Sequence, residues 1–291
     1  MKEHLSPKQV ARAVRVSESS IKRWCDEGLL KMEKTAGGHR RIAVSEVLRF
    51  VRDSDRQLVE PSILGLPATT GKTPRMLNRV AAELQTALTA GNADSTRQIL
   101  FDLYVANHSL AIIGDHVLSS AFEEIGDAWA CGELEIYQER RGCEITVRAL
   151  RDLIQVLPEP DINAPLALGG TLAEDQYAIP SLLVEGVIRD VGWQTIQLGS
   201  GLPSQTIVAA IKRYQPTLVW LSISHVSDEQ SFLNDYAQIR NCLDDSQAIA
   251  VGGRSLGPEL RQRMKYTVFC ENLENLQEFA TALYRMKGSD S

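Results

Sequence analysis

The sequence predicts a multidomain protein in three parts. These are a small α-helical head with a β-hairpin, a four-helix bundle, and an α/β unit on a five-stranded parallel sheet. Three observations carry that reading. Residues 1–53 hold twelve Lys and Arg against seven Asp and Glu, a net of +5 in a chain of net −6, which leaves −11 for the remainder. Residues 75–157 keep a helical period, interrupted at Ala90-Gly91-Asn92 and at Cys131-Gly132. From residue 163 onward short apolar runs alternate with amphipathic ones, the pattern of strands covered on both faces by helices.

At 291 residues the chain is long enough for two or three cores, and 44% hydrophobic with 23% charged residues is the balance of a globular protein. No apolar run reaches the ~20 residues a membrane helix needs. Met1-Lys-Glu-His-Leu-Ser-Pro7 is too polar for a secretory signal. A cytoplasmic protein without membrane contact is expected. Cys25, Cys131, Cys143, Cys242 and Cys270 form no Cys-x-x-Cys pair, so neither a disulfide framework nor a zinc site is expected. A basic head on an acidic body points to a polyanion partner for the head alone.

The head, residues 1–53, opens with Ser6-Pro7, a hydroxyl cap followed by proline in the first turn of a helix. Val10, Ala11 and Val14 give that helix an apolar face. Ser17 is placed to cap a second helix over Glu18–Glu27, with Ile21 and Trp24 inward and Gly28 as a left-handed stop. Two short helices joined by a tight turn make a helix-turn-helix. Ser19, Ser20, Lys22 and Arg23 lie on the outer face of the second helix, where hydroxyls and cations suit phosphates and base edges. Gly37-Gly38 permits a hairpin that carries His39, Arg40 and Arg41 at its tip or edge, in the manner of a wing. Ser45 is expected to cap a third helix through Arg52. A winged helix used for protein contacts has the same pattern. The run Leu5-Ser-Pro-Lys-Gln-Val-Ala-Arg-Ala-Val-Arg-Val-Ser-Glu-Ser-Ser-Ile-Lys-Arg-Trp24, followed by Gly37-Gly-His-Arg-Arg-Ile42, resembles the MerR-type DNA-binding domain. That resemblance implies a double-stranded DNA operator as partner, met by Ser17, Ser19, Ser20, Lys22, Arg23, Gly38, His39, Arg40 and Arg41.

Residues 54–74 read as a flexible linker, because Pro61–Pro74 is rich in Pro, Gly and Thr and lacks a helical period. Its Ile63-Leu-Gly-Leu66 piece is apolar enough to dock. Residues 75–160 form the four-helix domain, with segments 75–90, 94–106, 108–130 and 134–157. Leu84, Leu88, Ile99, Leu103, Leu110, Ile113, Val117 and Phe122 supply its core. The stretch from Phe122 to Arg140, with Trp129 and Glu139, resembles the helical cap of cobalamin-binding regulators and corrinoid proteins. In that family a tryptophan covers the ligand, and a Glu-His pair follows after nine intervening residues. Arg140 stands here in the place of the histidine. Read without the resemblance, Trp129 is a core residue at a hairpin corner.

Residues 161–291 form the α/β unit. Its expected strands are Pro165–Leu168, Thr195–Leu198, Leu218–Ser222, Ile249–Val251 and Tyr266–Phe269. Its expected helices are Ile179–Val191, Ser204–Tyr214, Gln230–Leu243, Pro258–Met264 and Leu273–Arg285. The stretch from Leu166 to Pro180 reads as strand, small-residue turn and helix start, the kind of loop where a parallel sheet meets ligands. No Gly-x-Gly-x-x-Gly follows the first strand, so a nicotinamide dinucleotide site is not expected.

The unit resembles the cobalamin-binding Rossmann-like domain, whose pattern is Asp-x-His-x-x-Gly, about forty residues, Ser-x-Leu, a little under thirty residues, then Gly-Gly. The corresponding positions are Glu174-Asp-Gln176-Tyr-Ala-Ile179, 42 residues, Ser222-Ile-Ser224, 27 residues, and Gly252-Gly253. Gln176 thus stands where the resemblance implies the histidine that ligates cobalt, and a neutral amide is a poor metal ligand. Glu174 and Ser222 stand where the family orients that imidazole. Gly252-Gly253 either admits a nucleotide-like tail close to the backbone or forms a tight strand-to-helix turn. His225 follows the third strand near the pocket mouth.

Taken together, the order of parts resembles the light-responsive, adenosylcobalamin-dependent repressors of the CarH/LitR group. It implies a DNA-binding transcriptional regulator, expected to repress, that self-associates as dimer or tetramer. The ligand pocket would be Trp129, Glu139, Arg140, Glu174, Gln176, Ser222, Ser224, Gly252 and Gly253. With no histidine at 140 or 176, the expected effector domain supports oligomerisation without a histidine-ligated cobalamin, and no metal. One alternative keeps adenosylcobalamin, with the corrin bound without a protein histidine. A further alternative is a corrinoid enzyme component, against which the basic head and the lack of an acid-base cluster both argue.

Overall fold

The structure, a computed structural model, describes residues 4–35, 37–54, 56–67, 70 and 77–288. Of the expected linker and first bundle helix, 55, 68–69 and 71–76 lie outside the described residues. The chain forms two compact units: Met1–Ser109 with His116–Glu159, and Leu110–Asp115 with Pro160–Ser291.

The first unit begins with the head. Its elements are β1 (His4–Leu5), α1 (Pro7–Ala13), α2 (Glu18–Asp26), β2 (Glu33–Lys34), β3 (Arg40–Ala43) and α3 (Val44–Asp53). Ser6 caps α1 in a reciprocal box with Gln9, and the Ser17 side chain caps α2. Gly28 closes α2 with φ +76°. The three strands pair antiparallel in the order β1-β3-β2. Ser45 does not cap the third helix. Strand β3 runs straight into α3, so Ala43 takes the cap position, without a side-chain bond, and Ser45 is buried in the first turn. Leu5, Val10, Ile21, Leu30, Ile42, Val47 and Leu48 fill the head's core. The Trp24 ring packs on Phe50 with centroids 4.9 Å apart, and the Arg56 guanidinium lies 4.6 Å over Trp24.

Residues 56–67 dock against α1. The N–H groups of Val59 and Glu60 donate to the Ala13 carbonyl, Arg12 pairs with Glu60 at 2.9 Å, and Leu58, Leu64 and Leu66 are buried around a 3₁₀ turn at Pro61–Leu64. The helices of the bundle are α4 (Leu77–Thr89), α5 (Ala93–Val105), α7 (Ser119–Ala130) and α8 (Ile136–Gln155), whereas the short α6 (Leu110–Ile112) belongs to the second unit. Leu84, Leu88, Ile99, Leu103, Ile125 and Leu150 are buried among α4, α5, α7 and α8. The head joins this layer where the Arg52 guanidinium sits 3.9 Å over the Tyr104 ring and Arg52 Nε donates to Asn107 Oδ1 at 3.4 Å.

The expected helix over 108–130 differs from the structure in two ways. His108 precedes it, its N–H donating to the Leu103 carbonyl, and Ile113–Leu118 is wound as a π-helix between α6 and α7. Within the second unit the Asp115 carboxylate accepts from the N–H groups of Leu273 and Glu274 at 3.0 Å. It thereby caps a helix 158 residues away in sequence.

The second unit is a doubly wound α/β fold: β4 (Leu166–Gly170), α9 (Ala178–Val191), β5 (Gln194–Gln197), α10 (Ser204–Tyr214), β6 (Leu218–Ser222), α11 (Glu229–Asn241), β7 (Ala248–Gly252), α12 (Pro258–Gln262), β8 (Val268–Cys270) and α13 (Leu273–Gly288). All strand pairs are parallel, in the order β5-β4-β6-β7-β8. Each strand lies within two residues of its expected bounds. The central strand, Leu218-Val-Trp-Leu-Ser222, is buried throughout, as a strand covered on both faces must be. Strand order reverses between β4 and β6, and at such a switch point the loops diverge and leave a crevice at the carboxyl ends of the strands.

Candidate functional site: a nucleic-acid face and a switch-point cavity

On the head, the structure brings the expected DNA-facing residues onto α2 and the adjoining hairpin. Ser17 Oγ accepts the Ser20 N–H at 3.1 Å and lies 2.8 Å from the hydroxyls of both Ser19 and Ser20. Lys22 pairs with Glu18 at 2.8 Å, and Arg23 approaches Glu27 at 3.8 Å. The Lys22 ammonium holds the Glu18 carboxyl below its ordinary value. Both pairs are solvent-exposed and screened by water, so an approaching phosphate can displace them. The hairpin closes through Gly38, at φ +77°, with the Thr35 N–H donating to the His39 carbonyl at 3.0 Å. His39 and Arg41 are exposed there. Arg40 instead pairs with Asp26, the last residue of α2, at 2.5 Å. Sequence reasoning missed Asp26, whose partner lies 14 residues on with no periodic relation to it.

In the second unit the loop after β4 turns on one buried carboxylate. Asp175, 2% exposed, accepts N–H bonds from Ser224 (2.5 Å), His225 (3.3 Å) and Tyr177 (3.0 Å), and so ties the loop after β4 to the loop after β6. The Thr171 hydroxyl donates to the Asp175 carbonyl and accepts the Gly201 N–H at 2.9 Å. A cavity of about 90 Å³ lies beside this turn, lined among others by Leu172, Glu174, Asp175, Ser222, His225 and Phe232.

The expected pocket residues divide. Ser222, buried at the end of β6, lines the cavity, and Glu174 lies at its rim, bonded to the Ser227 hydroxyl. Gln176 does not line it: its amide folds back to donate to the Ala173 carbonyl at 3.2 Å and packs over Gly201. Ser224 contributes its backbone, the carbonyl accepting from Ser255 Oγ at 2.8 Å. Gly253 has φ +128°, and a Cβ there would stand 2.2 Å from the Ile223 carbonyl oxygen; one on Gly252 would stand 2.9 Å from that of Cys270. The chain's own backbone thus already fills the space these glycines leave. Gly253→Val is therefore expected to destabilise the unit by about 3 kcal/mol or more, from backbone strain plus overpacking. Chemical denaturation measures it, and a loss below about 1 kcal/mol would contradict the packing role.

Sequence reasoning assigned the acid of this turn to Glu174, whereas the buried, bond-accepting acid is Asp175. A signal was available, since the family pattern begins with Asp and Asp175 is the one aspartate of the turn. Counted from Asp175, the same pattern places Tyr177 and Pro180 where the histidine and glycine stand. Tyr177 is exposed, with the Arg254 guanidinium 5.1 Å over its ring.

On the bundle, Trp129 is half exposed at the end of α7, so it is not a buried corner residue. In α8, Arg140 Nε lies 3.3 Å from the Glu139 carboxylate, and the Cys143 thiol donates to Glu139 at 3.4 Å. Burial, then the adjacent Glu139 charge, pushes the Cys143 thiol up to about 12. A thiol raised in the folded state favours folding up to the unfolded value near 9, and that contribution is lost as pH climbs from 9 towards 12. Stability is expected to fall over that range, and less steeply in Cys143→Ala; identical slopes in alkaline urea titrations would contradict this. Among the described residues no three His, Cys, Asp or Glu converge to hold a metal ion, and no described helix is long and apolar enough to cross a membrane.

Two family models match the chain: a helix-turn-helix domain over residues 5–54, and a B12 binding domain over residues 80–153. No curated protein matches the sequence. Among solved structures, the monomethylamine corrinoid protein of Methanosarcina barkeri aligns at a TM-score of 0.58 with 17% identity, covering 72% of this chain and all of that one. A cobalamin-binding protein from Desulfitobacterium hafniense aligns at 0.38 with 18% identity, covering 72% of this chain and 98% of that one. The first likeness establishes the fold. The chain therefore carries a helix-turn-helix domain and a B12 binding domain, on a fold shared with that corrinoid protein.

The B12 binding domain raises cobalamin as a ligand, and the donor set of the second unit bears on it. That unit offers no imidazole in the turn from Asp175 to Pro180; its one histidine is His225, on the loop after β6. The cavity is well below the roughly 300–1,000 Å³ of small-molecule sites. These residues, as arranged, do not fit a histidine-ligated corrin with an inserted nucleotide tail.

Proposed function

We propose that this protein is a DNA-binding transcriptional regulator of the MerR type, acting as a repressor through operator occupancy. Its corrinoid-type α/β unit supports self-association without a histidine ligand to cobalt. Four surface groups on the head, Lys22, Arg23, His39 and Arg41, meet the duplex, with Ser17, Ser19 and Ser20 towards base edges. The observation that carries the reading is the pairing of the exposed cationic face on α2 and the wing with a B12-type bundle in the same chain. A single small head binds weakly, so joining several raises the effective concentration at an operator. Selection of duplexes from a random library, with native mass of the bound species, tests this. Enrichment of one sequence by a dimer or tetramer is expected; no enrichment would overturn it.

A second reading keeps adenosylcobalamin, the corrin bound with its own base or water on the lower face. The match of the B12 binding domain to residues 80–153, which include Trp129 and Glu139, favours it. A corrin bound in that way would retain its spectrum on the purified protein without an imidazole signature.

A further inference from the structure

The expected wing contact Arg40 differs in its exposure from Lys22 and Arg23, the expected cations of α2. Its side chain is 24% exposed, against 49% for Lys22 and 65% for Arg23. Its guanidinium is 2.5 Å from the carboxylate of Asp26, which ends α2. Its backbone is the first residue of β3 and pairs with Lys34 of β2. One side chain therefore spans from the wing ladder to the end of the recognition helix.

The root of the wing is tied separately. The buried Glu46 carboxylate, on α3, accepts the Lys31 N–H at 3.3 Å and binds the Arg49 guanidinium, which also donates to the Leu29 carbonyl at 3.0 Å. That fixes the chain as it leaves α2. Only the Arg40 bridge to Asp26, among the described residues, joins the β3 end of the hairpin to α2 by a side-chain ion pair.

We infer that Arg40 is a positioning residue: it holds the wing at a set distance from the recognition helix through Asp26 and leaves phosphate contact to Arg41, Lys22 and Arg23. Both surfaces must engage one duplex at once, the helix in the major groove and the wing beside it, so their spacing sets how well the head docks. The inference rests on the DNA-binding reading above.

The test is a double-mutant cycle with Asp26→Asn, Arg40→Gln and the pair together. The probe is the duplex enriched by the selection above, and affinity is followed across a salt series. Hydrogen exchange at residues 37–41 is read in the free protein. Each single substitution should weaken binding by the same factor, about twofold to fivefold for a pair of this exposure. The double should be no weaker than either, the salt slope unchanged, and wing exchange faster in all three. A phosphate contact behaves otherwise. Asp26→Asn would then bind as well or better, and Arg40→Gln alone would weaken binding and lower the salt slope by about 0.9. That pattern, or unaltered wing exchange, overturns the inference. If the unsubstituted protein enriches no duplex, the DNA-binding reading fails, and the exchange data alone decide whether Asp26 holds the wing.

Discussion

Replacing Asp175 by alanine is expected to destabilise the α/β unit by roughly 2–4 kcal/mol. The carboxylate is almost fully buried and accepts three backbone N–H groups, from Ser224, His225 and Tyr177. Ser224 is itself buried, so its N–H loses its partner without gaining water, and a stranded buried donor costs about 1–3 kcal/mol. The remaining cost comes from freeing the loop after β4 from the loop after β6. Asparagine should be intermediate, since it keeps one acceptor oxygen and turns a donor towards N–H groups. Glu174→Ala should cost little, because Glu174 is exposed and bonds one hydroxyl. Urea denaturation of the three variants ranks them. A loss for Glu174→Ala as large as that for Asp175→Ala would show that the wrong acid has been placed at the centre of this turn.

Replacing Lys22, Arg23 and Arg41 together by alanine is expected to weaken operator binding roughly a hundredfold at low salt, from three lost charge-assisted contacts. It should also lower the slope of log affinity against log salt by about 3, since each neutralised phosphate releases close to one counterion. The three lie on the exposed face of α2 and the wing, outside the head's core. Their loss should therefore leave the melting temperature nearly unchanged. Changes at Ser19 and Ser20 should instead shift sequence preference, because a serine hydroxyl reads base edges as well as phosphates. Fluorescence anisotropy on the selected duplex and on a scrambled one separates the two effects. An unchanged salt slope in the triple variant would remove this face from the interface.

How much was legible in the sequence follows from what each feature depends on. Central strands were readable because burial on both faces demands an uninterrupted apolar run, and Leu218–Ser222 ends where that run ends. The helix caps at Ser6 and Ser17 were readable because the cap and its target lie three residues apart. Ser45 misled for the same local reason: a serine before an apolar run looks like a cap unless β3 is known to enter the helix directly. The π-helix at Ile113–Leu118 has no periodic signal. A Cβ on Gly114 would stand 2.2 Å from Leu273 Cδ1, so tertiary packing around that segment is tight. Choosing Glu174 over Asp175 was a one-residue error in a loop, where no period distinguishes neighbours and only burial separates them. The bridge from Arg40 to Asp26 depends on where the hairpin folds, which residue types alone do not give.

The proposed function joins a DNA-reading head to a corrinoid-type fold that takes no histidine-ligated cobalamin. The direct measurement is the absorption spectrum of the purified protein after incubation with adenosylcobalamin in the dark and removal of free ligand by gel filtration. A colourless protein that still binds its selected duplex with unchanged native mass is the predicted result. A corrin spectrum retained in stoichiometric amount, with an imidazole nitrogen on cobalt that disappears in His225→Ala, would contradict the account.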